Sequence, residues 1–267
     1  MTIDCTYLKK YAKICDRLKD LNQPVFDSIK LDFENQIAIF GSQKGFGRVK
    51  MPVQGYDGTQ KAFLVKLTSF LAVISEFPIL EVEGYVFKSG TDNEFEVPHL
   101  DDEFEYPSFA SSTTTAFKCS KEVISAIKRA GIYTEDGGAS LDGVFIINGS
   151  VAGTNRSRLC EEKLKELDGV NLNLPRPVWE TMALEILGDN LTLDNSSADK
   201  FFVSNGDEIS IQFATSSVLK VPPITDPKFV EKYNHSSRIK VNKNSFQQIV
   251  SFMAPFVANV TATRMQL

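Results

Sequence analysis

Apolar positions in this chain follow two rhythms. A short stretch of period two gives way to one or two polar residues and then to a stretch of period three to four. Period two marks a half-buried strand, and a period near 3.6 marks a helix with one buried face. The pair occurs first as Thr2-Ile3-Asp4-Cys5 followed by Tyr7 to Leu21. It returns as Ala62-Phe63-Leu64-Val65 with Leu67 to Phe77, and as Ala116-Phe117-Lys118-Cys119 with Lys121 to Ile132. The fourth copy is Val170-Asn171-Leu172-Asn173-Leu174 with Pro177 to Leu187, and the fifth is Arg238-Ile239-Lys240-Val241 with Asn244 to Met253. Successive starts lie roughly 55–70 residues apart, the scale of one repeated supersecondary unit.

Local chemistry agrees with these helices. Thr6 and Ser120 are predicted N-caps, because a side-chain oxygen there can accept a first-turn N–H. Val123 at the third position denies Ser120 a full capping box. Pro177 suits a first turn, where its missing N–H has no partner to lose. Gly131 and Gly188 fall at predicted helix ends.

The intervening segments read as strands. Phe26 to Phe33 alternates almost perfectly, turns at Glu34-Asn35 and continues as Gln36 to Phe40. Ile79 to Glu83 and Tyr85 to Lys88 pair around Gly84, and Phe95 to Pro98 follows. Later strands are predicted at Gly143–Asn148, Val151–Thr154, Leu191–Asp194, Lys200–Ser204 and Glu208–Thr215. Asn148-Gly149 and Asn205-Gly206 are hairpin dipeptides, since both residue types tolerate positive φ. Each unit is therefore strand, helix and three strands, an α+β class, and two units make a domain. The polar run Ala110 to Thr115 has no periodicity and is the predicted linker. The expected domains are residues 1–112, 113–235 and a partial third at 236–267.

Composition narrows the chemistry. The 267 residues carry 29 basic and 34 acidic side chains, a net charge of −5. A whole-protein basic footprint for nucleic acid is absent, although a local one is compatible with that balance. No apolar run reaches the roughly 18 residues of a membrane span, and MTIDCTYLKK lacks the apolar centre of a secretion signal. The expectation is a cytoplasmic protein. Cys5, Cys15, Cys119 and Cys160 show no paired short spacing, so buried reduced thiols are expected rather than a metal site. His99 and His235, the only histidines, flank no nucleophile motif. Gly41-Ser42-Gln43-Lys44-Gly45-Phe46-Gly47 is glycine-rich, but its spacing matches neither phosphate-binding motif. It reads as a turn between two strands.

Paired strand–helix–three-strand units in successive domains resemble DNA sliding clamps, and most closely the bacterial DNA polymerase III β subunit, a phage-borne relative included. Leu141-Asp142-Gly143-Val144 is similar to that family's Leu-Asn-Gly-Met segment. Thr154-Asn155-Arg156-Ser157-Arg158-Leu159 is similar to its Thr-Asp-Gly-His-Arg-Leu turn, with Arg156 and Ser157 departing from the glycine and histidine. Glu105-Tyr106-Pro107-Ser108-Phe109 resembles the family's first-domain ending, and the resemblance spans about residues 1–255. It implies a non-enzymatic, cofactor-free and metal-free processivity factor of a bacterial or phage-infected cell that encircles duplex DNA and tethers a polymerase.

The resemblance implies that the helices line a ring. On the first helix Leu8, Tyr11, Ala12, Cys15 and Leu18 share a face, and Lys10, Lys13 and Arg17 share another, with Lys9 nearby. The third-unit helix turns Val123, Ile124, Ile127 and Ala130 inward and offers Lys121, Lys128 and Arg129. These seven cations are the expected DNA-facing residues, acting on phosphates without reading sequence. The second and fourth helices are less basic, with Glu76, Glu180 and Glu185 among their polar residues. The family also holds a short partner peptide from a polymerase or clamp loader in an apolar pocket. By position the candidates are Leu141, Thr154, Arg158 and Leu159, then Pro227, Phe229 and Val230 from a later loop. Thr263 to Leu267 resembles the family's chain ending, which adds Met265 and Leu267.

Two complete domains suit a ring of three subunits, whereas three-domain relatives close with two. A shortened last domain and a truncated chain both fit the length. Two other classes stay open. Asp101-Asp102-Glu103 and Glu161-Glu162 could serve a metal-dependent hydrolase, and the strand content also suits a phage structural or assembly protein.

Overall fold

The computed structural model describes residues 1–43, 45–100, 117–134, 141–155, 159–188, 191–197 and 200–214, and singly residues 242, 244, 245, 247 and 248. The chain divides into Met1–Val221 and Pro222–Leu267. In the first part the chain begins with β1 (Thr2–Asp4), α1 (Thr6–Lys10), α2 (Ala12–Leu18), β2 (Ser28–Asp32), β3 (Ile37–Ser42) and β4 (Gly45–Lys50). It continues through β5 (Val53–Gln54), β6 (Phe63–Lys66), α3 (Leu67–Glu76), β7 (Ile79–Glu83), β8 (Val86–Ser89), β9 (Asn93–Glu96) and β10 (His99–Leu100). The second half holds β11 (Phe117–Cys119), α4 (Lys121–Gly131), β12 (Gly143–Ile147), β13 (Ser150–Thr154) and β14 (Leu159–Lys163). It ends with β15 (Asn171–Pro175), α5 (Arg176–Met182), β16 (Leu191–Ser197), β17 (Lys200–Asn205) and β18 (Ile209–Ala214).

The pairing shows why two units make one body. The first strand of each unit joins the three-stranded meander of the other unit. β1 joins β7-β8-β9, and β6 joins β2-β3-β4. Likewise β11 joins β16-β17-β18, and β15 joins β12-β13-β14. Within their own units β1 and β6 keep only two-residue ladders, with β5 and β10, so a single unit would lose the longer ladder of its first strand.

The two halves share a sheet. β4 pairs antiparallel with β18 from Gly45↔Phe213 to Val49↔Ile209. Among the described residues this makes one sheet of nine strands, β10-β6-β2-β3-β4-β18-β17-β16-β11. Gly45 permits the approach, because a Cβ there would lie 2.8 Å from the Gln212 carbonyl oxygen. Gly47 seats the Phe40 ring, which would meet a Cβ at 2.3 Å. The glycine-rich segment is thus a hairpin as expected, and its glycines serve close packing.

The core lies between helices and sheets. Leu8, Tyr11, Ile14, Cys15 and Leu18 of the first helical stretch are buried, as are Val123, Ala126, Ile127 and Ala130 of α4. The predicted apolar faces are nearly these, except that Ile14 and Ala126 replace Ala12 and Ile124. Aromatic rings fill the first half, with Phe63 against both Phe33 (5.5 Å between centroids) and Tyr85 (5.0 Å).

Several boundaries differ from expectation. The first helix breaks at Tyr11 (φ −98°, ψ 13°) instead of running from Tyr7 to Leu21. Its cap position is Cys5, and Thr6 is already helical, its N–H donating to Asp4 Oδ1 at 2.9 Å. The fourth helix stops at Met182, because Leu184 turns extended (φ −73°, ψ 122°), and a 3-10 turn at Glu185–Leu187 carries Leu187 into the core. Residues 24–27 form a 3-10 turn, so the strand expected from Phe26 begins at Ser28. Ser120 does cap α4, accepting from the Val123 N–H at 3.3 Å. Asn148-Gly149 does turn a hairpin, at φ 41° and 86°. Of the fifth unit, Asn244, Ser245, Gln247 and Gln248 are helical. Asn242 Oδ1 accepts from the N–H groups of Asn244 and Ser245 at 3.0 and 3.2 Å, a side-chain cap at that helix start. Its predicted strand lies outside the described residues, as does the Ala110–Thr115 linker.

Candidate nucleic-acid interface and partner pocket

The helices of the two halves touch in series. Lys9 Nζ of α1 donates to the Ser75 carbonyl of α3 at 2.6 Å. Arg17 of α2 reaches across the junction to Glu180 of α5 at 2.8 Å. α5 packs on α4 through Trp179, whose ring lies where a Cβ on Gly131 would stand. Arg176 also lies over that ring, 5.7 Å from its centroid. Its Nε donates to Asp142, its Nη1 to Glu180 Oε1 at 3.3 Å and its Nη2 to Thr134 at 3.2 Å. One line of helices, α3–α1–α2–α5–α4, therefore runs over both halves of the nine-stranded sheet.

The seven predicted cations all sit on this line, and all are exposed. Carboxylates hold four of them. Lys10 Nζ lies 2.6 Å from Glu208 Oε2, Arg17 pairs with Glu180, and Lys128 lies 3.6 Å from Glu185 Oε1. Arg129 grips Glu162 with two nitrogens, at 2.7 and 3.0 Å. Lys13 makes no ion pair among the described residues. Sequence reading had located the cations but not these partners, since Glu208 stands 198 positions from Lys10. No local signal marks such a pair.

The centre of this network is Glu208, in the turn between β17 and β18. Its Oε2 also accepts from the Tyr11 hydroxyl at 2.6 Å, and Asn205 Nδ2 donates to the same hydroxyl at 3.2 Å. Hydrogen bonds from Lys10 and then Tyr11 hold the Glu208 carboxyl below its usual range. The Glu208 hydrogen bond raises the Lys10 ammonium, and burial followed by the Glu208 hydrogen bond raises the Tyr11 phenol.

The pocket candidates divide. Leu141 precedes β12, Thr154 closes β13 and Leu159 opens β14, so antiparallel order places all three at one end of the four-stranded sheet β14-β13-β12-β15. Thr154 and Leu159 are direct cross-strand partners. Thr154 is buried, Leu141 is half-buried, and Leu159 is 41% exposed, high for a leucine in a strand. Ile132, which the sequence reading did not single out for this role, is 76% exposed just after Ala130, whose carbonyl lies against Gly153. Arg158, Pro227, Phe229, Val230, Met265 and Leu267 lie outside the described residues.

The acidic clusters look different in place. Glu161 Oε1 accepts from the Ser150 hydroxyl at 2.9 Å while Glu162 holds Arg129, so both have protein partners. Asp101-Asp102-Glu103 lies outside the described residues. Among the described residues no three His, Cys, Asp or Glu side chains are grouped to hold a metal. Burial pushes the Cys119 thiol up to about 12 and raises Cys5 and Cys15 further. No described helix is long and apolar enough to cross a membrane.

No family model and no curated protein matches the sequence. Solved structures do match the fold. The Helicobacter pylori beta clamp, solved bound to a DNA ligase peptide, superposes with a TM-score of 0.71 at 16% identity, over 95% of this chain and 75% of its own. The Pseudomonas aeruginosa sliding clamp (DNA polymerase III subunit beta), solved with griselimycin, gives 0.73 at 15% identity, over 96% and 73%. The Thermotoga maritima β subunit gives 0.66 at 14% identity, over 84% and 66%. This chain thus spans about two thirds to three quarters of their length. Identities this low carry architecture and nothing finer, and the architecture they carry is the bacterial sliding-clamp fold.

Proposed function

We propose that this chain is a DNA sliding clamp, a non-enzymatic processivity factor that encloses duplex DNA and tethers replication proteins. The observation that carries this is the line of five helices over a sheet continuous between the halves, with seven exposed cations along it, in a chain of sliding-clamp fold. Lys9, Lys10, Lys13, Arg17, Lys121, Lys128 and Arg129 face the duplex and act on phosphates, which suits sliding because phosphates repeat regardless of sequence.

Two sheet edges support ring closure. Among the described strands β9 and β14 are two of the six that have one neighbour, and a strand with an open edge recruits another. Partner proteins dock a short apolar peptide at the Leu141–Thr154–Leu159 end of the second half. Exposed Leu159 and Ile132 supply the apolar anchor surface such peptides need. We take the domain bounds to be those of the repeat, residues 1–112, 113–235 and 236–267, and the working compartment to be the cytoplasm.

Retention on DNA of different topology tests the proposal. A clamp loaded on a closed circle stays bound through gel filtration and escapes once the circle is cut. Equal retention on circular and linear DNA, or none on either after loading, overturns it.

A further inference from the structure

Four of the seven cations of the helix line are already paired with carboxylates. Glu208 comes from the β17–β18 turn, Glu180 from α5 and Glu185 from the following 3-10 turn. Their partners Lys10, Arg17 and Lys128 keep side-chain exposures of 42, 43 and 55%. These three ion pairs are therefore formed yet open to solvent, where a phosphate can reach the cation. Exposed pairs are weak and screened by salt, so they can exchange partners. Arg129 differs, because Glu162 holds it with two parallel hydrogen bonds, a geometry that resists exchange.

We propose that Glu208, Glu180 and Glu185 are built-in competitors of DNA phosphate, which hold Lys10, Arg17 and Lys128 when no duplex is present and cap the affinity when one is. The inference rests on the helix line being the duplex-facing surface. Each phosphate that takes a cation must displace a carboxylate already on it. The net gain per contact shrinks and the surface grips no single register of the duplex. The carboxylates also keep the long side chains extended toward their partners, so the cations are positioned before DNA arrives. Neighbouring Asp207, exposed in the same turn and in no ion pair among the described residues, supplies the internal comparison.

The experiment measures binding of a short blunt duplex by fluorescence anisotropy over a salt series. It compares the wild type with Glu185→Gln, the double variant Glu180→Gln/Glu208→Gln, and Asp207→Asn. Glutamine keeps the shape and a hydrogen-bond acceptor, and far-ultraviolet circular dichroism checks that each variant is folded, because Arg176 over the Trp179 ring also pairs with Glu180. The expected result is tighter binding by about three- to tenfold for the double variant and less for Glu185→Gln. The slope of log K against log salt should steepen by about 0.9 for each cation released to a phosphate. Asp207→Asn should change affinity less than twofold. If Asp207→Asn gains as much as the double variant, general charge is responsible and the competitor role falls. If wild type binds and the glutamine variants bind no better, it falls as well. If no form binds duplex at any salt, the competitor role falls, while retention on closed circles decides the clamp reading separately.

Discussion

The Tyr11 hydroxyl donates to Glu208 Oε2 at 2.6 Å across 197 positions of sequence. Tyr11 stands at the break between α1 and α2, and Glu208 in the turn of the last described hairpin. The bond therefore ties the first helical stretch of one half to the sheet of the other, beside the β4–β18 ladder. Removing the hydroxyl with Tyr11→Phe leaves the ring buried but strips Glu208 of one donor and Asn205 of its acceptor. The expected cost is about 1–2 kcal/mol. Thermal unfolding should then fall by roughly 2–6 °C, and an unchanged midpoint would show that the bond contributes nothing.

The same cluster sets a pH window. Glu208 has a lowered carboxyl value, so its contribution is complete above its ordinary 4.5 and is lost as pH falls through the lowered one. Tyr11 and Lys10 have raised values, so theirs are complete below 10.0 and 10.5 and are lost as pH rises through the raised ones. The stability difference between wild type and Glu208→Gln should be flat from pH 5 to 9 and shrink below pH 4.5. A difference that persists undiminished in strong acid would assign it to something other than the carboxylate.

Gly153 lies in β13 under α4, where an added Cβ would stand 2.0 Å from the Ala130 carbonyl oxygen. Backbone on both sides leaves no flexible side chain to move. Gly153→Ala should cost about 3 kcal/mol or more and shift urea unfolding to lower concentration. By contrast Gly58→Ala, with nothing within 4 Å, meets no clash and loses only what its φ of 82° imposes.

Thiol reactivity should be confined to one cysteine. Cys5, Cys15 and Cys119 are buried and their thiols raised, whereas Cys160 is half-buried. A maleimide at pH 7.5 should label Cys160 slowly and the other three only after denaturation, read by mass spectrometry. Native labelling of Cys15 would contradict the packing of α2.

Where a local contact decides, the sequence was readable. Ser120 caps α4 because its hydroxyl and the Val123 N–H are three residues apart, and Asn148-Gly149 turns because those two residues tolerate positive φ. The apolar faces of the helices came through for the same reason, since burial imposes its period on the chain. The break at Tyr11 left no such trace, as neither glycine nor proline marks it and Tyr11 has long-range partners in Glu208 and Asn205. The strand β14 was not foreseen, because Leu159-Cys160-Glu161-Glu162-Lys163 alternates poorly and its pairing with β13 is what makes it extended. In the candidate site the cations were legible as helix-face lysines and arginines. Their carboxylates were not, because a charge pair distant in sequence leaves no pattern in it.

The β4–β18 ladder also determines how the protein can be divided. A cut within residues 101–116 separates the chain between its repeats, yet each fragment would carry one strand whose neighbour left with the other piece. Gly45 to Val49 on one fragment and Ile209 to Phe213 on the other would each present bare backbone donors and acceptors to water. Neither piece is a self-sufficient module, and co-expressed pieces should reassemble through that seam while each alone precipitates or pairs with itself.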